Sequence, residues 1–492
     1  MAGADEPRLA VADALKLNLQ TATASAHSMS LIILEASADL DHETLREVVA
    51  TSLPRLRRFR SRLVHKPLGV GRPVWADVHG YDASTQIHRA TAPGPGGERE
   101  LADVLTRLSV DAQHRSRALW HAWTIDGLAG GRWGLAVMTS PVLADTPLWE
   151  LLVSTEPDRL SHPPAETGFG PAPSIGGLVA DTVSEIVQGQ LAGTRVIVGT
   201  VSGAVRAVCR AVRGVPDSPT DTEAVSSMRG PVPITVLNAP PTARRAVALA
   251  RLRLDDVKAV SDAFGSNTAT VVLTALTLSL RDWLHRYGDV PDAPLLIEVP
   301  LSEPAGDPAD RPNPSRMGLV RAPVQLDDPV QILTNLHTAT ERLNIDRCTD
   351  DEKSSTADDL ASMASLLPPE ALRWASALRS GMNVPAWRPP ARHCRVSFLS
   401  AQPGYCGGAR VAGTYTSAPL AEGRGLSLTV TTRADVMDLC VSACPDNVPE
   451  IGDIAGGIVD GVDVLLAAAA KSPRGEGRSV VTEMTSYNLR RS

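Results

Sequence analysis

Aromatic side chains are scarce in this 492-residue chain: four Phe, five Tyr and eight Trp make up 3% of it. Its cores must therefore be built from Val, Leu, Ile and Ala. Positive charge is not in excess either. Lys and Arg total 48 against 55 Asp and Glu, a formal net charge of −7, which removes the basic footprint of a nucleic-acid partner. No apolar run reaches the roughly 18 residues of a membrane span, so any membrane contact is expected to be peripheral. Cysteines are few and scattered, at positions 209, 348, 394, 406, 440 and 444. With no secretory signal in view they read as reduced, structural thiols of a cytoplasmic protein. Cys440 and Cys444 are the only close pair, and without a second pair or a histidine partner they do not spell a zinc site. No metal is expected. Glycine and proline, 38 each, come to about 15% of the chain, below the roughly 25–30% of low-complexity sequence.

What is present reads as two folded units, since the length exceeds that of one core. The expected division is an N-terminal lobe over 8–155, a linker and crossover helix over 156–231, a C-terminal lobe over 232–470 and a disordered tail over 471–492. In the first lobe, Leu31 to Leu34 signal a buried strand. The segment LDHETLREVVATSLPRLRRF then has helical spacing, with Asp41 as N-cap and Glu43 and Glu47 in its early turns. The cluster Arg55, Arg57, Arg58, Arg60, Arg62 and Lys66 has two readings: a patch for CoA phosphates or anionic lipid, or structural arginines at a solvated helix end, the second weighted more heavily. A break at Gly69 to Pro73 precedes a short strand at Val74 to Ala76, and ERELADVLTRLSVD makes an amphipathic helix. Between two loose stretches, Leu178 to Val212 is apolar and helical in spacing and carries Arg195, Arg206, Arg210 and Arg213. It suits either an anionic lipid surface or a crossover packed between lobes.

The most informative stretch is WGLAVMTSPVLADTPLWE, Trp133 to Glu150. Upstream of it, PRLRRFRSRLVHKPLGVGRPVW and RSRALWHAWTIDGLAGGR closely resemble the bacterial wax ester synthase/diacylglycerol acyltransferase family. There a Pro-Leu-Trp segment and a Gly-Gly turn lead into a strand that ends in His-His-x-x-x-Asp-Gly. Here the same lead-in delivers Ser140-Pro141-Val142-Leu143-Ala144-Asp145-Thr146. The aspartate is kept, while both histidines and the glycine are replaced. An alcohol attacking a thioester must lose its proton, and a neutral imidazole is the natural acceptor. Ser140 is no base at neutral pH, and Pro141 has neither side-chain proton chemistry nor a backbone N–H. Asp145, whose implied role is structural, then orders a loop with no base in it. A decoy, His121-Ala122-Trp123-Thr124-Ile125-Asp126-Gly127, reads His-x-x-x-x-Asp-Gly, but it falls in the lead-in strand and turn, so His121 is expected to be a polar residue of a half-buried strand.

The resemblance continues from Ile234 to Gly288, as a strand, a turn at Asn238, the pair Arg244-Arg245, another strand and two helices around Gly265. The family's Asn-Asp pair at the start of the second of those helices is Ala269-Thr270 here, and Ser302-Glu303 stand where an arginine is usual. The resemblance spans roughly residues 8 to 470. It implies an α/β (α+β) fold: the two-lobed, chloramphenicol acetyltransferase-like fold of CoA-dependent acyltransferases, with mixed sheets, flanking helices and a channel between lobes. It also implies acyl-CoA as co-substrate, no permanently bound cofactor, a lipid acceptor, and a location at the inner membrane or lipid-droplet surface. Asn238 becomes a candidate substrate-binding residue. Two functions follow from the degenerate motif: an O-acyltransferase of triacylglycerol or wax ester metabolism with weak or lost catalysis, or a non-catalytic acyl-chain or acyl-CoA binding protein or acyltransferase partner subunit. A base borrowed from His27, His65 or His393 would favour the enzyme.

Overall fold

The computed structural model describes residues 8–18, 27–67, 71–114, 118–143, 148–157, 164–193, 232–300, 317–346, 392–421 and 423–471. The N-terminal lobe runs α1 (Val11–Asn18), β1 (Ser28–Leu34), α2 (His42–Ser52), β2 (Ser61–Val64), β3 (Val74–Asp77), β4 (Ile87–Thr91), α3 (Glu98–His114), β5 (Trp120–Asp126), β6 (Trp133–Thr139) and α4 (Leu148–Leu152). After α5 (Ile175–Gly193) come β7 (Ala246–Arg253), α6 (Leu254–Phe264), α7 (Thr268–Tyr287), β8 (Leu295–Pro300), β9 (Met317–Ala322) and α8 (Pro329–Asp346). The chain closes with β10 (Cys394–Ser400), β11 (Tyr405–Cys406), β12 (Ala409–Ser417), β13 (Leu426–Arg433), β14 (Val436–Ala443) and α9 (Ile451–Lys471).

Local chemistry accounts for these elements. Asp41 caps α2, its carboxylate accepting the Thr44 N–H at 2.8 Å, and Leu45, Val48, Val49 and Ser52 place the buried stripe at helical spacing. Gly265, at φ +62°, ends α6 in the left-handed conformation that glycine adopts without penalty. Asn267 then caps α7 by accepting the Thr270 N–H at 2.8 Å. Helix α9 lies close on α7, where a Cβ on Gly461 would sit 3.0 Å from Ala275 Cα. The segment Ile234 to Leu237, expected as a strand, is instead extended chain entering a 3-10 turn over Val236–Asn238. Thr235 and Asn238 cap that turn reciprocally, and Gly425 donates its N–H to Leu237 O at 2.7 Å.

Among the described residues are two six-stranded sheets, with strand orders β11-β12-β1-β6-β5-β4 and β7-β14-β13-β10-β8-β9, and a two-stranded sheet of β2 and β3. Strands β11 and β12 come from the C-terminal half of the chain and complete the N-terminal sheet. β12 pairs antiparallel with β1, Met29 opposite Ser417 and Leu31 opposite Tyr415. A division near residue 231 therefore separates stretches of sequence, while the sheets interlock across it.

Both faces of the N-terminal sheet are buried. One, bearing Leu31, Ile33, Ala136 and Met138, packs on α3 and, across the lobe boundary, on Val247 and Leu249 of β7 and Cys440 of β14. The other, bearing Ile32, Leu34, Leu135 and Val137, packs on α2, α4 and residues Leu399 and Ala401 at the end of β10. The outer face of the second sheet, including Leu428, Val430, Leu439 and Val441, packs on α6, α7 and α9. β12 rests against the inner face of that sheet. Thr414 donates its N–H to Asp438 Oδ2 at 2.8 Å, and Arg251 and Arg433 donate to Ala412 O at 2.8 and 2.7 Å.

The basic cluster divides as the structural reading expects. Arg60 donates to Pro54 O and Glu166 O at 2.6 and 2.5 Å, Arg57 stacks 4.3 Å over the Phe169 ring, and Arg58 lies 5.8 Å from the Trp75 ring centre. Lys66 pairs with Asp181 of α5 at 2.6 Å. Residues 194–231, with the four arginines read as a basic helix face, lie outside the described residues, as do 472–492.

Candidate active site

The lead-in strand and turn form as the sequence implies, and they deliver the start of the motif to a buried position in the core of the N-terminal lobe. β5 runs antiparallel to β6, Trp120 opposite Thr139 and His121 opposite Met138. The Trp120 indole N–H donates to Phe59 O at 2.8 Å, which anchors the start of β5. At Gly127, φ +77°, a Cβ would sit 2.6 Å from Ala92 O, so the turn between the strands requires glycine. β6 ends at Thr139. Ser140 then donates its N–H to Leu119 O at 2.8 Å and accepts the Leu143 N–H at 2.9 Å, closing a short 3-10 turn over Pro141–Leu143. Ser140, Pro141, Val142 and Leu143 are all buried. Asp145 and Thr146 lie outside the described residues.

The histidines considered as bases occupy separate places in the fold. His393 is committed elsewhere: its Nδ1 accepts the Leu296 N–H at 3.0 Å, which fixes the proton on Nε2, 3.0 Å from Pro233 O. Burial lowers its pKa, so it is a neutral clamp of the second lobe. His65 is exposed just beyond β2. His121 faces His88, with Nδ1 and Nε2 3.4 Å apart, and both rings cluster with Trp123. That cluster lies on the α3 side of the sheet, the side of Trp123 and Ile125, in a strand buried on both faces where a half-buried one was expected. His27 stands directly before β1, whose first residue, Ser28, is opposite Thr139. It is half-buried, and desolvation lowers its pKa, leaving the imidazole neutral at physiological pH.

The supports from the second lobe are also altered. Thr270 is buried and spends its hydroxyl on Asn267 Oδ1 at 3.0 Å, next to Thr340 Oγ1 at 3.4 Å. Asn238 uses its amide within the fold: Nδ2 donates to Arg392 O and Gly423 O at 3.1 and 3.0 Å, and Oδ1 accepts the Thr235 N–H at 3.0 Å. Ser302 and Glu303 lie outside the described residues.

Two features escaped the sequence reading. Glu298 of β8 is buried and paired with both Arg392 and Arg424. Desolvation pushes its pKa up, but the two guanidinium groups outweigh that and hold it below the ordinary glutamate value. A lone carboxylate inside LLIEVP was the available signal. The second feature is LSLTVTTR, whose Ser427, Thr429 and Thr431 alternate with apolar residues. That pattern reads as one solvated face, yet both faces are buried.

Two lobes of mixed sheet, joined by an exchanged strand, define the two-lobed CoA-dependent acyltransferase class. The family profile described as wax ester synthase/diacylglycerol acyltransferase catalytic domain matches residues 9–272, and that of the WS/DGAT C-terminal domain matches residues 315–465. The chain belongs to the wax ester synthase/diacylglycerol acyltransferase family. Two relatives from Mycobacterium tuberculosis H37Rv, both provisionally named diacylglycerol O-acyltransferases, are similar along most of their length. One is 26% identical over 440 residues, covering 85% of this chain and 81% of the relative; the other is 28% identical over 450 residues, covering 89% and 95%. The solved wax ester synthase/diacylglycerol acyltransferase of Marinobacter aquaeolei VT8 has the same fold, with a TM-score of 0.64 at 18% identity, covering 94% of this chain and all of that one.

Proposed function

We propose that this protein binds long-chain acyl-CoA between its lobes and that acyl transfer to diacylglycerol or a long-chain alcohol is greatly slowed or lost. The observation that carries this reading is the turn after β6, where Ser140 and Pro141 occupy the positions of the two imidazoles in a buried site. Losing a general base typically costs about 10²–10⁴-fold. Holding two reactants together keeps part of the effective molarity, so residual turnover is compatible with the reading. His27 is the side chain that the β1–β6 register offers as a borrowed base. A lipid surface is the proposed place of action: Ile175, Val179 and Val183 are spaced four apart on α5 and are 76%, 47% and 56% exposed, an unpartnered apolar stripe suited to an interfacial helix.

The test pairs binding with turnover. Palmitoyl-CoA at 100 times its dissociation constant should stabilise the protein by about 2.7 kcal/mol, read as a rise in melting temperature. CoA release with diacylglycerol should stay near background, and His27→Gln should remove what remains. Turnover within tenfold of a family member that keeps both histidines would refute attenuation. No thermal shift with any chain length would leave the partner-subunit role as the better account.

A further inference from the structure

The exchanged strand β12 pairs with β1 along one edge, while β11 covers only Ala409 and Arg410 of the other. Past that short ladder Val411 donates its N–H to Gly404 O at 2.9 Å. The next backbone groups are met by side chains of the second sheet. Ala412 O accepts from Arg251 Nη2 of β7 at 2.8 Å and from Arg433 Nη2, at the end of β13, at 2.7 Å. Thr414 donates its N–H to Asp438 Oδ2 of β14 at 2.8 Å. These are groups that a neighbouring strand would otherwise bond.

The ladder is irregular at the same place. Ile33 is opposite Gly413 and Leu34 is opposite Val411, so Ala412 is a bulged residue with no partner on β1. Its carbonyl is therefore free for the two guanidinium groups. Those groups are themselves held by Asp438, which is buried and stands opposite Arg251 in the β7–β14 ladder. Arg251 Nε is 2.7 Å from Asp438 Oδ1, and Arg433 Nη2 is 3.8 Å from Oδ2. One carboxylate and two cations from the C-terminal lobe thus grip the backbone of a strand that belongs to the N-terminal sheet.

Stability alone is a poor reason for such a set. Desolvation offsets most of what buried charges gain by pairing, and well-packed apolar residues of similar volume often serve as well or better. What β12 lacks is a hydrophobic pattern. In ARVAGTYTS, Val411 and Tyr415 are the only large apolar side chains, and strands of that composition are weakly held in register. A two-residue slip would keep every side chain on its own face, so burial opposes it little. The slip would, however, carry Ala412 O away from both guanidinium groups and the Thr414 N–H away from the Asp438 carboxylate. We infer that Asp438, Arg251 and Arg433 stand in for a missing neighbour strand and pin β12 in one register, so that the two lobes seat on each other in one way.

The experiment uses the full chain carrying Ser30→Cys, Thr414→Cys and Thr416→Cys, oxidised and mapped by mass spectrometry of its linked peptides. Position 30 faces position 416 in the observed register, where the two hydroxyls lie 3.5 Å apart, and would face position 414 after a two-residue slip. With the pin intact the 30–416 link should dominate. Adding Arg251→Met/Arg433→Met/Asp438→Leu removes the charges together and keeps most of the volume. The melting temperature should then stay near that of the parent, while the ratio of the 30–416 link to the 30–414 link should fall about tenfold or more, as expected when charge-assisted hydrogen bonds are lost. Should that variant fail to fold, Gly413→Ala takes its place: a Cβ there would sit 2.8 Å from Arg251 Nη2 and displace the guanidinium with every charge kept, and the same ratio should fall. An unchanged ratio in the folded variant would overturn the inference. A lower melting temperature with an unchanged ratio would overturn it too, because the set would then be a source of stability and not of register.

Discussion

Ser140 and Pro141 differ from imidazoles in the one property that the reaction uses, the ability to take a proton near pH 7. The change Ser140→His, Pro141→His and Thr146→Gly should therefore raise CoA release by about 10²-fold or more, because the strand, the turn and Asp145 that present the motif are kept. Adding Ala269→Asn and Thr270→Asp should raise it further. Folded triple and quintuple variants with no gain would mean that the channel has diverged beyond its base. Glu298 supports a second test at this scale. Glu298→Gln leaves Arg392 and Arg424 facing a neutral group, and breaking a buried ion pair costs about 3–5 kcal/mol; urea unfolding should show a loss of that order, less what solvent screens at the partly exposed arginines. The missing histidines were legible in the sequence because the flanking residues fixed where they should stand. Glu298 and the β13 hydroxyls were not, because alternation in a strand tells which residues share a face but not what covers it.

At the scale of elements, the carboxylate of Asp181 ties α5 to the first lobe. Asp181 accepts from Arg8 at 2.5 Å and from Lys66 at 2.6 Å. Desolvation raises its pKa, but the two cations outweigh that and hold it below the usual aspartate value. A depressed acid stabilises the folded state above the unfolded pKa and loses that contribution as pH falls through the folded one. Amide exchange in the first turns of α5 should therefore quicken below about pH 4, and Asp181→Asn should bring the faster exchange to neutral pH. On its exposed side, Val179→Asp/Val183→Asp should weaken binding to anionic vesicles while leaving the melting temperature unchanged. Helices α2 and α3 were readable from caps and period. The stretch at Ile234 to Leu237 misled because its β-branched residues suit a strand, while Thr235 and Asn238 supply a turn with its own capping bonds, and local side-chain bonds of that kind compete with strand pairing.

For the whole molecule, the two-lobed class was legible from the family resemblance over residues 8 to 470, but the exchange of β12 was not. Nothing in ARVAGTYTS distinguishes a strand of one sheet from a strand of the other, since pairing across the chain is a tertiary choice. The exchange predicts that residues 1–231 and 232–492, produced separately, should each fail to melt cooperatively, and that co-expression should restore a single transition. Two independently cooperative halves would contradict it.

The same exchange sets a timetable for the newborn chain. At a synthesis rate of about 5–20 residues per second, roughly 15–55 s separate the emergence of Thr139 from that of Ser417. Throughout that interval β1 has its β6 neighbour but lacks β12, so one edge of the nascent sheet stands open to any passing strand. Chaperone occupancy on ribosome-bound chains should be highest between those two points and should fall once β12 is out, and an edge-blocking charge on β1, such as Ser30→Lys, should reduce aggregation during synthesis at the expense of the finished sheet.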